Sequence, residues 1–213
     1  MTVTATRTRD RILEASLMLF NEEGLAKVST HRIAAELGIS PGNLHYHFKA
    51  KQLIVATLFR HFEDRLSACM EAAAEVDALD DVWLSLHLTF EAVNAYRFIY
   101  RDVDYLLNGY PELEARAQAL TARNLLAARS LCAGLRRSGV IEAGDEEIEM
   151  LALQIVFATT CWFTFKRLTP RRSTATTHAE PALAAYYTLT FLSPYVVGEA
   201  RDYLNYLRSK YLR

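Results

Sequence analysis

The chain is poor in the residues that punctuate β structure. It has 213 residues but only 8 Gly and 5 Pro. Sandwiches and barrels need a turn every few residues, so this scarcity argues against an all-β fold. Cysteine is scarcer still: Cys69, Cys132 and Cys161 are an odd number and form no CxxC pair. That excludes a disulfide framework and a zinc cluster and points to a reducing cytoplasm. The start, Met-Thr-Val-Thr-Ala-Thr-Arg-Thr-Arg, lacks the apolar core of a secretion signal. Two uncharged runs exist, 150–165 and 181–198. The first has 16 residues, short of the ~20 that a membrane span needs. The second holds Thr188, Thr190, Ser193 and Pro194 with three Tyr. Both read as a buried helix or a subunit interface, with no membrane partner. No Gly-rich phosphate loop, G-x-S-x-G, H-E-x-x-H or close carboxylate pair stands on a turn. The expectation is no enzyme, no metal and no cofactor.

Net charge is nearly absent too, at −1, which on its face argues against nucleic acid. The average hides a split. Residues 1–61 carry eight Lys/Arg against five Asp/Glu, a formal +3. The rest carry sixteen against twenty, −4. Four of the six histidines, His31, His45, His47 and His61, lie in the basic part. Aromatics lean the other way, with 5 of 23 before residue 79. The two parts of the chain do different jobs.

What is abundant is helix-forming: Ala, Leu, Arg and Glu. Residues 7–23 carry Ile12, Leu13, Ser16, Leu17, Leu19 and Phe20 at helical spacing, and Gly24 suits a left-handed cap. Ser29 caps a second helix, 30–37, whose inner stripe is Ile33, Ala34 and Leu37. Gly38 turns the chain, and Ser40-Pro41 opens a short third helix, 41–47. Two short helices joined by a tight turn with Gly give the geometry of helix-turn-helix. Phe48 and Leu53 are expected to fix that unit on a long helix, 51–76. Further helices are expected at 80–98, 99–108, 112–138 and 145–168, with breaks at Pro111 and Gly139. Residues 169–180 read as the most loop-like segment. A last helical stretch, 181–211, should kink or restart at Ser193-Pro194.

The run Val28-Ser29-Thr30-His31-Arg32-Ile33-Ala34-Ala35-Glu36-Leu37-Gly38-Ile39-Ser40-Pro41-Gly42-Asn43-Leu44-His45-Tyr46-His47-Phe48-Lys49-Ala50-Lys51-Gln52-Leu53 resembles the DNA-binding signature of the tetracycline-repressor (TetR) family. That pattern runs roughly S/T-x-x-x-I-A-x-x-x-G-V-S-x-G-x-L-Y-x-H-F-x-x-K-x-x-L. The chain departs from it at His45, where the family most often has Tyr. A histidine keeps a polar contact there and adds sensitivity to pH. A short helix in the major groove presents its first residues to base edges. Ser40, Pro41 and Gly42 would permit close approach, and Asn43 suits adenine. His45 and Tyr46 would reach bases or phosphates, and His47 and Lys51 phosphates. Thr30 and Arg32 would hold the DNA backbone beside the start of the second helix. Arg7, Arg9 and Arg11 would add phosphate or minor-groove contacts or merely end the helix in solvent.

The resemblance implies an all-α protein. An N-terminal three-helix DNA-binding domain (1–50) would precede a larger helical ligand-binding and dimerisation domain (51–213). It also implies a homodimer on a palindromic operator and a small-molecule effector that releases it. The residues offer a stripe of Ile148, Leu151, Ile155, Ala158, Trp162 and Phe165, and an apolar 181–212, as material for a four-helix interface. Trp83, His87 and Phe90 share one helix face. With Tyr105, Phe157, Trp162 and Phe163, and the polar tips of His87, Tyr105 and Thr159, they are candidates for a pocket. The same aromatics equally serve as plain core. Two competing readings are a helical enzyme and a protein-binding module whose helix-turn-helix no longer reads DNA. The polar residues at 43, 45, 46, 47 and 51 argue against the second.

Overall fold

The computed structural model describes residues 2–72, 78–169 and 179–211. Among these the fold is all-α. The helices are α1 (Thr2–Glu23), α2 (Thr30–Leu37), α3 (Pro41–His47), α4 (Lys51–Ala72), α5 (Leu79–Ala95), α6 (Phe98–Arg101), α7 (Val103–Gly109), α8 (Pro111–Arg137), α9 (Asp145–Leu168), α10 (Ala179–Leu189) and α11 (Ala200–Tyr211). The expected extension of α4 to residue 76 and the loop 170–178 lie outside the described residues. The chain forms two compact units, 1–64 with 96–117, and 65–95 with 118–213. The divisions fall inside α4 and near the start of α8.

The first unit is built on α1. Ile12, Leu13, Leu19 and Phe20 are buried, with Ser16 among them. A buried hydroxyl needs a partner, and Ser16 Oγ donates to Ile12 O at 2.6 Å. Ile33 and Ala34 of α2, Leu44 of α3 and Phe48 complete the small core. Leu37 is half-buried. Leu53, expected to fix α3 on α4, is 49% exposed. Ile54, Val55, Leu58 and Phe59 supply the buried face of α4 instead. The helical register turns Leu53 away from that face.

The second unit packs α5, the later part of α8, α9, α10 and α11 around one core. Gly139, at φ 70°, ends α8 in the left-handed region, and Val140 N–H closes the turn on Leu135 O at 2.9 Å. Three acids open α9, Asp145, Glu146 and Glu147, on the side the helix dipole favours. Glu147 also accepts from Gly144 N–H at 2.6 Å. By length and composition α9 matches a membrane span, with a mean hydropathy of 1.5. Its Ile148, Leu151, Ile155 and Val156 are core of this unit. No helix starts at Ser193-Pro194. Instead α10 runs into a 3-10 turn, Thr190–Leu192, and residues 195–197 pair with 140–142. Glu142 N–H donates to Tyr195 O at 2.9 Å and Val197 N–H to Val140 O at 3.1 Å. Pro194 lacks a donor, and the exposed turn around it costs no pairing.

Candidate nucleic-acid interface

The joint between α2 and α3 is set by three local devices. Ser29 Oγ accepts from Arg32 N–H at 3.1 Å and caps α2. Gly38 has φ 64°, and its Cβ position meets nothing within 4 Å. Its backbone therefore demands glycine where packing does not. Ser40 Oγ then accepts from Asn43 N–H at 3.1 Å, and Pro41 starts α3 with its φ already set.

Leu44 faces inward and is 1% exposed. That orients the rest of α3. Pro41, Gly42, Asn43, His45 and Tyr46 are exposed and His47 is half-buried. Tyr46 is 73% exposed, and its ring meets His47 edge-on at 5.2 Å. An exposed polar row beside one buried apolar anchor is what a reading helix needs.

A groove of about 710 Å³ runs beside this row. The first residues of α2 (Thr30, His31), α3 (Pro41, Gly42) and α4 (Lys51, Gln52) line it. Lys27, His31, His45, Lys49 and Lys51 line it too, and no carboxylate does. Helix N-termini and cations favour anions together. Lys27, His31 and Lys49 escaped the sequence reading. Their signal is weak, since single basic residues spread over the segment gather only once the helices fold.

Two of the expected phosphate ligands are placed differently. Arg32 turns back on its own unit. Its Nη2 sits 2.8 Å from Glu23 Oε1 and its Nη1 2.7 Å from Glu36 Oε2. Those carboxylates raise its pKa, Glu36 first. Lys51 Nζ donates to Leu25 O at 2.5 Å and lies over the Phe20 and Tyr105 rings. Burial lowers its pKa. Arg32 bonds within its unit to Glu36 at i,i+4 and to Glu23 at the end of α1, and Lys51 to Leu25 O just past that end; the Glu23 and Leu25 contacts are ones that sequence spacing does not reveal. Arg9 stacks over Phe48 at 4.4 Å and approaches His47 O at 3.5 Å. Arg7 and Arg11 are exposed.

Leu25 is held at both backbone groups. Its carbonyl takes the Lys51 bond, and its N–H donates to Asp102 Oδ2 at 2.7 Å. Arg101 pairs with Asp102 and donates to Phe20 O at 2.5 Å and Asn21 O at 2.7 Å. Asn21 Oδ1 accepts from Phe98 N–H at 3.1 Å. The α6–α7 corner thus caps the end of α1 (orphan carbonyls need such partners).

The expected pocket residues divide. Tyr105 belongs to the first unit, beside Lys51. Phe157 is 66% exposed. Phe163 packs against the second core. Trp83, His87, Phe90 and Trp162 do come together. Trp83 stacks on His87 at 5.1 Å and 5°, and Phe90 meets Trp162 at 6.0 Å. Tyr187, Tyr186 and Tyr211 continue the contacts from Trp162 back to Trp83, at 5.6, 5.8, 5.7 and 6.4 Å in turn. Thr159, expected as a polar tip, donates to Val156 O at 3.0 Å. Thr188, which the sequence reading missed, is 1% exposed and has no partner among the described residues.

The apolar stripe expected at an interface on α9 is mostly core: Ile148, Leu151 and Ile155 are buried. The exposed apolar side chains are Met150, Leu153, Phe157, Phe165 and Leu168. Much of 181–211 is likewise core, including Ala184, Ala185, Tyr186, Leu189 and Leu204. Leu212 lies outside the described residues.

Comparison with known proteins places this geometry. Residues 12–58 match the family described as bacterial regulatory proteins, tetR family. Residues 61–204 match the family described as bacterial transcriptional repressor, TetR. A TetR-family transcriptional regulator from Marinobacter aquaeolei VT8 is 32% identical over 96% of this chain and 98% of its own, with TM-score 0.85. The probable HTH-type transcriptional regulator YttP of Bacillus subtilis is 29% identical over 45% of this chain and 50% of its own length. The HTH-type transcriptional repressor KstR2 of Mycolicibacterium smegmatis is 27% identical over 50% and 54%. The chain spans about half the length of these two curated relatives.

Proposed function

The chain belongs to the TetR family of bacterial transcriptional repressors, which are regulators and not enzymes, and from that premise we propose that it is an effector-responsive repressor binding a palindromic operator as a homodimer. The observation that carries this is the exposed row on α3 beside a groove free of carboxylates. Gly42 lets the helix approach, and Asn43 reads an adenine through its amide. His45, Tyr46 and His47 contact bases or phosphates. Ser40, Pro41 and Thr30 bring helix N-termini to the backbone. Lys27, His31 and Lys49 neutralise phosphates. Arg32 and Lys51 act as positioning residues, through Glu23 and Leu25. Residues 1–50 form the reading domain, and residues 51–213 bind the effector and dimerise.

The exposed face of α9 is the dimer contact. Phe157 is 66% and Leu168 82% exposed. An apolar stripe of this length on a soluble, cytoplasmic protein is covered by a partner, and a second copy gives the closed symmetry that a palindrome requires. A small, mainly apolar effector in the second unit favours a state with misplaced recognition helices and lowers operator affinity by a coupling free energy.

Selection of bound duplexes from a random pool at fixed salt tests this. The expected result is an inverted repeat with half-sites roughly one helical turn, or a multiple of it, apart. A pool that shows no enrichment overturns the proposal.

A further inference from the structure

Buried polar atoms nearly always have hydrogen-bond partners, so each exception calls for an explanation. The second unit has four among its described residues: Trp83 Nε1, His87 Nδ1, Trp162 Nε1 and Thr188 Oγ1. Thr188 stands out from its kind. Thr57, Thr160 and Thr190 each donate back to a carbonyl three or four residues earlier, as a helical hydroxyl normally does. Thr188, buried in α10, does not.

Three of these residues lie along one run of ring contacts, and Thr188 follows the last ring of that run in sequence. Trp83 is stacked on His87. Phe90, on the next turn of α5, touches Trp162, and Trp162 touches the residue before Thr188. Trp83, His87 and Trp162 are part-exposed, which leaves a way in from solvent. Both indoles can only donate, and a threonine hydroxyl donates readily. His87 Nε2 faces Glu91 Oε1 at 3.4 Å. In a neutral ring Nε2 then carries the proton and Nδ1 accepts. The set is therefore rich in donors and walled by aromatics. Glu91 beside it repels negative charge.

We propose that this cluster is the effector site, and that the effector is an uncharged apolar molecule bearing a carbonyl oxygen. This rests on the reading of the chain as an effector-responsive regulator. The carbonyl oxygen accepts from the indole N–H groups and Thr188, and the apolar body lies against Phe90 and the Trp83 face. A carboxylate of the same shape loses its hydration without gaining a countercharge. A hydrocarbon of the same shape leaves the donors unpaired.

The chain has two tryptophans, and both lie in the cluster, so fluorescence excited selectively at tryptophan reports this site. The probes are cyclohexanone, its isostere methylenecyclohexane, and cyclohexanecarboxylate. The expected result is a saturable change with cyclohexanone and binding about tenfold weaker for the other two. Thr188→Val, which keeps the shape, should weaken cyclohexanone severalfold, leave methylenecyclohexane unchanged and not lower the melting temperature. Equal binding of ketone and alkene, or equal loss of both in Thr188→Val, overturns the proposal. Selected DNA bound at the same time keeps the two readings apart. Operator binding without ketone binding sinks the effector class and leaves the repressor standing. Ketone binding with no enriched DNA does the reverse.

Discussion

At the scale of single residues, the molecule separates side chains that face outward from side chains that hold others in place. Asn43 and His45 face outward because Leu44 between them is anchored in the core. Lys51 holds: its ammonium is spent on Leu25 O. Lys51→Met should therefore lower stability by about 1 kcal/mol and leave the salt dependence of DNA binding unchanged. A phosphate contact would instead reduce the salt slope by about 1. Thermal melts and binding at several salt concentrations decide between them. The outward residues were legible in the sequence, since a polar row on a capped helix follows from spacing. The contacts of Lys51 with Leu25 and of Arg32 with Glu23 were not, because they depend on residues at and just past the end of α1. Cys132 gives a pH test. Burial pushes its thiol from 9.0 up to about 12. The unfolded thiol then ionises first, so its contribution to stability is complete below pH 9 and is lost as pH rises toward about 12. Cys132→Ala should flatten that alkaline decline in denaturant titrations, and an unchanged slope would count against the buried environment.

At the scale of elements, α2 and α3 are specified locally and the supports of α1 are not. Ser29, Gly38 and Ser40-Pro41 announce their caps in sequence, and the structure uses each one. The α6–α7 corner reaches α1 across some 80 residues of chain, and no periodicity carries that. Arg101→Met removes the donors to Phe20 O and Asn21 O and takes the guanidinium away from Asp102, which keeps the Leu25 N–H bond. Both side chains are largely buried, 13% and 20% exposed, so the loss should be about 2 kcal/mol. Hydrogen exchange should quicken at the end of α1 before it quickens in the second unit. Uniform exchange through the chain would show that the corner does not secure α1. The same contrast explains α9, whose apolar period was plain in sequence. Which apolar positions face the core depends on α5 and α10, so the stripe chosen from periodicity proved to be inner at Ile148, Leu151 and Ile155 and outer at Phe165.

At the scale of the whole molecule, the near-zero net charge is a sum of two unlike parts. The basic first part sets Lys27, Lys49 and Lys51 along one groove, and the acidic remainder carries most of the aromatics. The fold class and the reading helix follow from the sequence because they rest on local signals. Trp83, His87, Phe90 and Trp162 were grouped from sequence, whereas the tyrosines that join them and the exposed face of α9 emerge only from packing. Phe157→Glu places a charge in the proposed dimer contact and should shift the protein toward monomer in sedimentation, with operator affinity falling at least tenfold as two linked half-sites become one. A dimer that persists would move the interface elsewhere. The central claim is that α3 reads DNA symmetrically, and parallel selections with the parent protein and Asn43→Ala test it most directly. The expected result is an inverted repeat for the parent, and for Asn43→Ala the same repeat with one adenine position made degenerate in both halves. An unchanged motif, or a change in one half only, would contradict it.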